Sequence, residues 1–243
     1  MFEIIDTLKN KLDQQRPLSK SILKNLQEDL ILRWTYHSNA IEGNTLTLLE
    51  TKVVLEGITV GGKALREHFE AINHREAIYY VEDIIRKHEP FSEWQIRNIH
   101  QLILKNIDDH NAGRYRQQNV LISGASQIPT DHSVLKDKMA QLIDWYNLEA
   151  SQLHPIQRAA KVHTDFVSIH PFIDGNGRTS RLLMNLELMK AGYPPCVITV
   201  ENRLAYYEAL DQWMAFGKSE PFNQLVADAV LEGFKPYQVV LGI

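Results

Sequence analysis

Apolar residues along this chain recur at three- and four-residue steps far more often than they alternate, which is the signature of amphipathic helix rather than of sheet. In SKSILKNLQEDLILRWTYHSNAIEGN the positions Ile22, Leu23, Leu26, Leu30 and Trp34 keep that step, and Gly43-Asn44 supplies a stop. A helix ending near Glu42 follows. Helical patterns continue over Thr47 to Gly57 and over about Leu65 to Lys87, separated by the breaker Gly61-Gly62. Ser92 and Gln95 stand at capping-box spacing ahead of WQIRNIHQLILK and mark another start. Further helices are expected over Lys136 to Tyr146, over Pro155 to Ile169 with a proline tolerated in its first turn, and over Leu182 to Lys190, halted by Gly192 and Pro194-Pro195. Two more, about Arg203 to Phe216 and Phe222 to Phe234, complete the pattern.

One stretch breaks it. In GRYRQQNVLISGASQIPTDH, residues 113 to 132, Val120, Leu121 and Ile122 precede Ser123-Gly124, and Ile128 precedes Pro129. A short β-hairpin turning near Gly124 is expected there. The fold class is therefore all-α with one hairpin. No repeat, low-complexity tract or linker divides the chain, so a single helical domain over residues 1–243 is expected.

Composition narrows the class. With 44% hydrophobic and 23% charged residues the chain is an ordinary soluble globular sequence, and 243 residues bury a sizeable core without staples. Its formal charge of −4 and the lack of long basic clusters argue against nucleic acid as partner. No run reaches the roughly 20 apolar residues of a spanning helix, and MFEIIDTLKNKLDQQ lacks the basic-then-apolar order of a signal peptide. A cytoplasmic protein with no membrane partner is expected. Cys196 is the only cysteine, which excludes an intrachain disulfide and a thiolate zinc cluster.

The chemistry concentrates in HPFIDGNGRTSR, His170 to Arg181. Asp174-Gly175-Asn176-Gly177 could be a hairpin turn, but a helical pattern ends before it and a helix beginning near Arg178 or Thr179 follows, so the glycines fall in a helix-to-helix loop at a helix N-terminus. There successive N–H groups converge and the helix dipole adds positive charge, which suits phosphate. Arg178 and Arg181, three apart, can share one face and add two planar forks, enough for more than one phosphate group. Taken alone, either arginine reads as a solvated charge; beside the glycines it reads as a ligand. Asp174 could be a turn residue, or the one carboxylate that holds Mg²⁺ beside a polyphosphate. His170 titrates near neutrality and can accept a hydroxyl proton. His163, one heptad earlier, is read as a buried, hydrogen-bonded structural histidine because it lacks i, i+4 metal spacing.

HPFIDGNGRTSR resembles the signature of the Fic family, H-x-F-x-[DE]-G-N-G-R-x-x-R, and fills every defining position. The resemblance extends from about Asn39 through the hairpin to about Phe222. It implies an all-α core with a β-hairpin flap, and transfer of AMP from ATP to a Ser, Thr or Tyr hydroxyl of a target protein. By position, His170 would take the hydroxyl proton and Asp174 would hold Mg²⁺. Gly175, Asn176 and Gly177 would form the anion nest, Arg178 would stabilise the departing pyrophosphate, and Arg181 would hold the γ-phosphate. Ser38-Asn39-Ala40-Ile41-Glu42-Gly43 resembles the family's inhibitory motif, [ST]-x-x-x-E-[GN], here within an N-terminal segment of about residues 1–60. Glu42 would pair with Arg181 and deny it to ATP. An acid at a helix C-terminus is otherwise unfavourable, which agrees with a specific partner.

The flap residues Val120, Leu121, Ile122, Ser123 and Gly124 would dock the target segment by strand addition. Tyr206 and Tyr207 in NRLAYYEAL resemble aromatic residues lining the family's adenine pocket, and Tyr207 is the one favoured. LDQWMAFGK lacks the asparagine that some relatives place against the base. Other activities compatible with these residues are removal of AMP from a modified protein, with Glu42 positioning water, and nucleotide sensing without turnover. A homodimer is a further expectation of the resemblance.

Overall fold

The computed structural model describes residues 2–122, 124 and 126–242. Its helices are α1 (Glu3–Gln14), α2 (Lys20–Ile41), α3 (Leu48–Leu55), α4 (Leu65–Arg86), α5 (Glu93–Leu104), α6 (Leu135–Leu148), α7 (Pro155–Ile169), α8 (Asn176–Lys190), α9 (Arg203–Phe216) and α10 (Glu220–Leu241). Most starts have a local cause. Ser19 caps α2 by accepting from the Ile22 N–H at 3.4 Å, and Thr47 and Glu50 close a reciprocal capping box on α3. Ser92 caps α5 as expected, but the Gln95 side chain donates to Glu89 at 2.9 Å instead of returning to the cap. The predicted box is half made.

Among the described residues the two larger of three apolar clusters share one helical pair, and a small third one joins Leu46, Val54 and Ala71. Ile78, Val81, Ile96, Ile99 and Met139 of α4, α5 and α6 pack on Val162 and Phe166 of α7 and Leu183 and Leu186 of α8. On the other side Ile5, Leu210, Phe222, Val226 and Val230 of α1, α9 and α10 pack on Ile156 and Ala160 of α7 and Met184 and Leu188 of α8. The α7–α8 pair is thus covered on both flanks, and every residue from Arg178 to Leu188 is buried. A helix buried all round has no polar face to give it a period. That is why periodicity marks α8 only from Leu182; it starts at Asn176, close to the start near Arg178 or Thr179 expected from the loop. Helix α1 is absent from the predicted elements, and α10 runs past its predicted end at Phe234 with Pro236 inside it.

The hairpin expected over Asn119 to Pro129 is not formed among the described residues of that segment, and Ser123 lies outside them. Side chains from the core take the place of a ladder. Arg116 donates from Nη1 to the Gln118 carbonyl at 2.8 Å and from Nη2 to the Thr130 carbonyl. Ser126 donates through both its N–H and hydroxyl to Asp211 of α9, each at 2.8 Å, and Gln127 donates to Ser168 of α7 at 2.6 Å. An isolated two-stranded ribbon is marginal in water, so these anchors decide the backbone path. Leu121 and Ile128 remain exposed.

His74 of α4 and His163 of α7 are wholly buried, 0% exposed. Burial, reinforced by Arg181 and, for His74, by Arg178, holds both pKa values well below the ordinary one. The unfolded chain takes up protons near pH 6.5 and the folded chain does not, so their contribution is complete above that pH and is lost as pH falls below it. The expected slope is about 1.4 kcal/mol per pH unit for each histidine. Thermal melts between pH 7.5 and 5 should show Tm falling on acidification, and His163→Gln should make the fall shallower whatever its absolute Tm. An unchanged slope in that variant would contradict the assignment.

Candidate active site

The loop between α7 and α8 is held in an unusual path by its own residues. His170 ends α7 in the left-handed region (φ 51°), Gly175 adopts φ 77° as the N-cap of α8, and a Cβ at Gly175 would press on Ile103 and His100. The Asn176 side chain lies inside the loop, accepting from the Phe172 N–H at 3.0 Å and donating to the Phe172 carbonyl at 2.9 Å. Its side chain is therefore a brace; only its backbone N–H faces the nest. The first backbone bond from α8 to the loop runs from Thr179 to the Gly175 carbonyl at 3.0 Å. The earlier N–H groups of the helix remain as donors for an anion.

Residues outside the signature fix this loop from behind. His100 of α5 stacks on Phe172 with 3.5 Å between ring centroids and a 2° interplanar angle. Its Nδ1 accepts from the Gly113 N–H at 2.9 Å, so the proton sits on Nε2, which donates to the Asp174 carbonyl at 2.9 Å. Burial pushes the His100 pKa down to about 4 and keeps this neutral tautomer at physiological pH. Arg116 donates from Nε to the His170 carbonyl at 2.9 Å, and its N–H donates to the Pro171 carbonyl at 3.0 Å. Neither residue has a sequence signal of its own. His100 sits on the apolar face of an amphipathic helix, where a polar residue is the only hint.

His170 is half-buried at the mouth of the loop. Burial lowers its pKa to about 4, with Arg116 acting in the same direction and the Val167 carbonyl, Glu42 and Asp174 opposing. It is a neutral base at pH 7. Asp174 accepts from the Gly175 N–H at 2.6 Å and Arg178 at 3.2 Å on Oδ1, and from Arg66 of α4 at 2.5 Å on Oδ2. Burial acts to raise the Asp174 pKa, but Arg178, the Gly175 N–H and Arg66 outweigh it and hold the carboxyl below its usual value. Arg178 is 2% exposed, 3.4 Å from Glu70, and its Nε and Nη1 find no hydrogen-bond acceptor. Buried donors without acceptors mark a place where an anion fits.

Arg181, also 2% exposed, is fully engaged. Nε donates to Ser38 Oγ at 3.1 Å, Nη1 to Tyr206 Oη at 3.3 Å, and Nη2 to both the Ser38 carbonyl and Glu42 Oε1 at 2.8 Å. Glu42 caps the C-terminus of α2, and its carboxylate lies so close to the start of α8 that a Cβ at Gly177 would overlap Oε1. The acid therefore sits at the nest as an anion of the chain's own. Behind Arg181, His163 Nε2 lies 3.0 Å from both Tyr206 Oη and Ser180 Oγ, as expected of a hydrogen-bonded structural histidine. Of the tyrosine pair, Tyr206 is the buried member. Tyr207 is 41% exposed and donates to the Ile41 carbonyl at 3.2 Å, beside Glu42. Of the predicted flap residues, Leu121 and Gly124 are exposed while Val120 and Ile122 are half-buried.

A metal fits this site in one way. Among the described residues no cluster of three or more His, Cys, Asp or Glu side chains could hold an ion. Of the two carboxylates at the nest, Glu42 is bound to Arg181, and Asp174 is the one that would suit a magnesium ion that keeps its waters and borrows phosphate oxygens.

Comparison with known proteins gives the family. The Fic/DOC family profile matches residues 90–188. A protein adenylyltransferase Fic from Nematostella vectensis is 39% identical over 230 residues, 93% of this chain and 53% of that protein. The chain spans about half the length of the curated relatives it matches. The crystal structure of a Fic domain containing signaling protein from Bacteroides thetaiotaomicron has a TM-score of 0.90 and 30% identity, covering 98% of this chain and 97% of that one. A fragment of Fic-1 from C. elegans has a TM-score of 0.89 and 32% identity, covering 99% of this chain and 72% of that one. With likeness over nearly the whole length of a solved relative, and a signature complete from His170 to Arg181, the chain belongs to the Fic/DOC family.

Proposed function

We propose that this chain is a self-inhibited protein adenylyltransferase, transferring AMP from ATP to a Ser, Thr or Tyr hydroxyl of a target protein with release of pyrophosphate. The observation that carries the proposal is the convergence of a neutral histidine, unpartnered buried Arg178 donors and the N-terminus of α8 on one loop, with Glu42 bound to the remaining arginine. The names of the relatives supply the reaction class.

In the transfer step His170 accepts the proton of the target hydroxyl while that oxygen attacks the α-phosphorus. The bond to the oxygen bridging α and β breaks, and pyrophosphate leaves with that electron pair. The first N–H groups of α8 and the free donors of Arg178 stabilise the negative charge on the phosphates, and their fixed positions mean no reorganisation during the reaction. Mg²⁺ held by Asp174 and phosphate oxygens would neutralise part of the triphosphate charge. Arg181 takes the γ-phosphate only once Glu42 has left it. Tyr207, partly exposed and bound to the Ile41 carbonyl, is read as the ring that meets adenine. The loop over 119–130 is read as the target-docking flap, with Leu121 and Ile128 exposed to receive an extended segment.

Hydrolysis of AMP-modified protein is the second activity that the geometry supports. Only Oε1 of Glu42 is committed to Arg181, and the side chain is 34% exposed, which leaves Oε2 to orient a water.

Three outcomes test these assignments. With α-labelled ATP, Glu42→Gly should raise protein labelling by about tenfold or more, the scale of one charge-assisted pair, and adding His170→Ala should lower it by about 10²–10⁴. No labelling of itself or of lysate protein by the Glu42 variant would count against transfer. For hydrolysis the sign reverses: Glu42→Gly should abolish AMP release from a modified target, and unchanged release would exclude it. Finally, the acid limb of kcat/KM in the Glu42→Gly protein should lie near pH 4 rather than 6.5, because His170 is unprotonated above about 4. A limb near 6.5 would remove His170 as the base.

A further inference from the structure

Asp174 has a cationic partner that the signature does not contain. Arg66, in the first turn of α4 and 108 residues earlier in the chain, donates from Nη2 to Asp174 Oδ2 at 2.5 Å. Oδ1 is already met by the Gly175 N–H at 2.6 Å and by Arg178 at 3.2 Å. Both oxygens of the carboxylate read above as the metal ligand are thus committed to donors.

The two arginines differ in what they can do. Arg178 is buried in α8 and has no room to withdraw. Arg66 is 56% exposed, on a long flexible side chain, and its Nε also donates to Glu70 Oε1 at 3.1 Å. Glu70 is a second acid on the same helix, itself fixed by Asn44 at 2.8 Å. Arg66 can therefore release Asp174 and stay paired. A divalent cation and a guanidinium on one carboxylate oxygen repel each other, so each weakens the binding of the other. With neither present, Asp174 would keep Arg178 and the Gly175 N–H on Oδ1 but have no donor on Oδ2.

We propose that Arg66 is a placeholder cation: it holds Asp174 Oδ2 in the metal-free protein, retreats onto Glu70 when metal and nucleotide arrive, and so sets the metal affinity of the site by competition. The inference rests on Asp174 as the metal ligand. Arg66 is a positioning residue here; it does not touch the reacting atoms.

The test is an electron paramagnetic resonance titration with Mn²⁺ in the presence of a non-hydrolysable ATP analogue, in the Glu42→Gly protein. Arg66→Gln should tighten Mn²⁺ binding by about two- to fivefold, the range of an exposed ion pair, while Arg66→Lys should stay near the parent value. Analogue binding without metal, followed by fluorescence, should not rise in Arg66→Gln, which separates competition at the metal from a general gain in nucleotide affinity. Unchanged or weaker Mn²⁺ binding in a folded Arg66→Gln protein would overturn the placeholder role alone. If Asp174→Asn leaves Mn²⁺ binding of the parent intact, the reading of Asp174 fails, and the inference with it.

Discussion

Arg181 is a guanidinium taken out of water in the middle of a helical core, and such a charge costs several kcal/mol unless its donors are met. Meeting them recruits two separate parts of the chain. Ser38 and Glu42 come from the last turn of α2, and Tyr206 comes from α9. A single buried charge thereby fixes where α2 and α9 sit against α8, and so defines the walls of the loop that carries the chemistry. Burial keeps His163 and His74 neutral, and the same guanidinium reinforces it, because a proton on either ring would face it across a dry interior. The buried histidines add no positive charge to those of Arg181 and Arg178.

The loop itself is over-determined, which explains how it tolerates left-handed backbone at His170. Asn176 ties both ends of Phe172, His100 stacks beneath that ring and grips the Asp174 carbonyl, and Arg116 holds the carbonyl of His170. Each of these side chains spends its hydrogen bonds on backbone. They fix the backbone that carries His170 and leads into α8 and Arg178.

How much of this was legible in the sequence depended on whether a local pattern existed. Helices α7 and α9 have one wet and one dry face, and their bounds follow from periodicity. Helix α8 is dry all round, so periodicity hid its start, although the signature at its N-terminus was plain. The pairing of Glu42 with Arg181 came from the family resemblance, and the coordinates show the contact. The choice between Tyr206 and Tyr207 turned on which faces the core, and Tyr206 does. His100, Arg116, Glu70 and Arg66 left no trace, because their roles come from contacts spanning tens of residues or more rather than from spacing. The expected hairpin failed for a related reason: Val120 and Ile122 suggest a strand, but Arg116, Asp211 and Ser168, which direct the segment, act through tertiary contacts.

The contact between Glu42 and Arg181 joins residues 139 positions apart. It is a staple between the end of α2 and the start of α8, and under the proposed function it would also be the lock on the phosphate site. Activation and loosening of the fold would then lie on one coordinate: whatever withdrew the acid would also unpin a helix end and leave a buried charge short of one partner until a phosphate replaced it. A protein built this way would be most compact when idle, and would regain that compactness in use only by borrowing charge from its substrate.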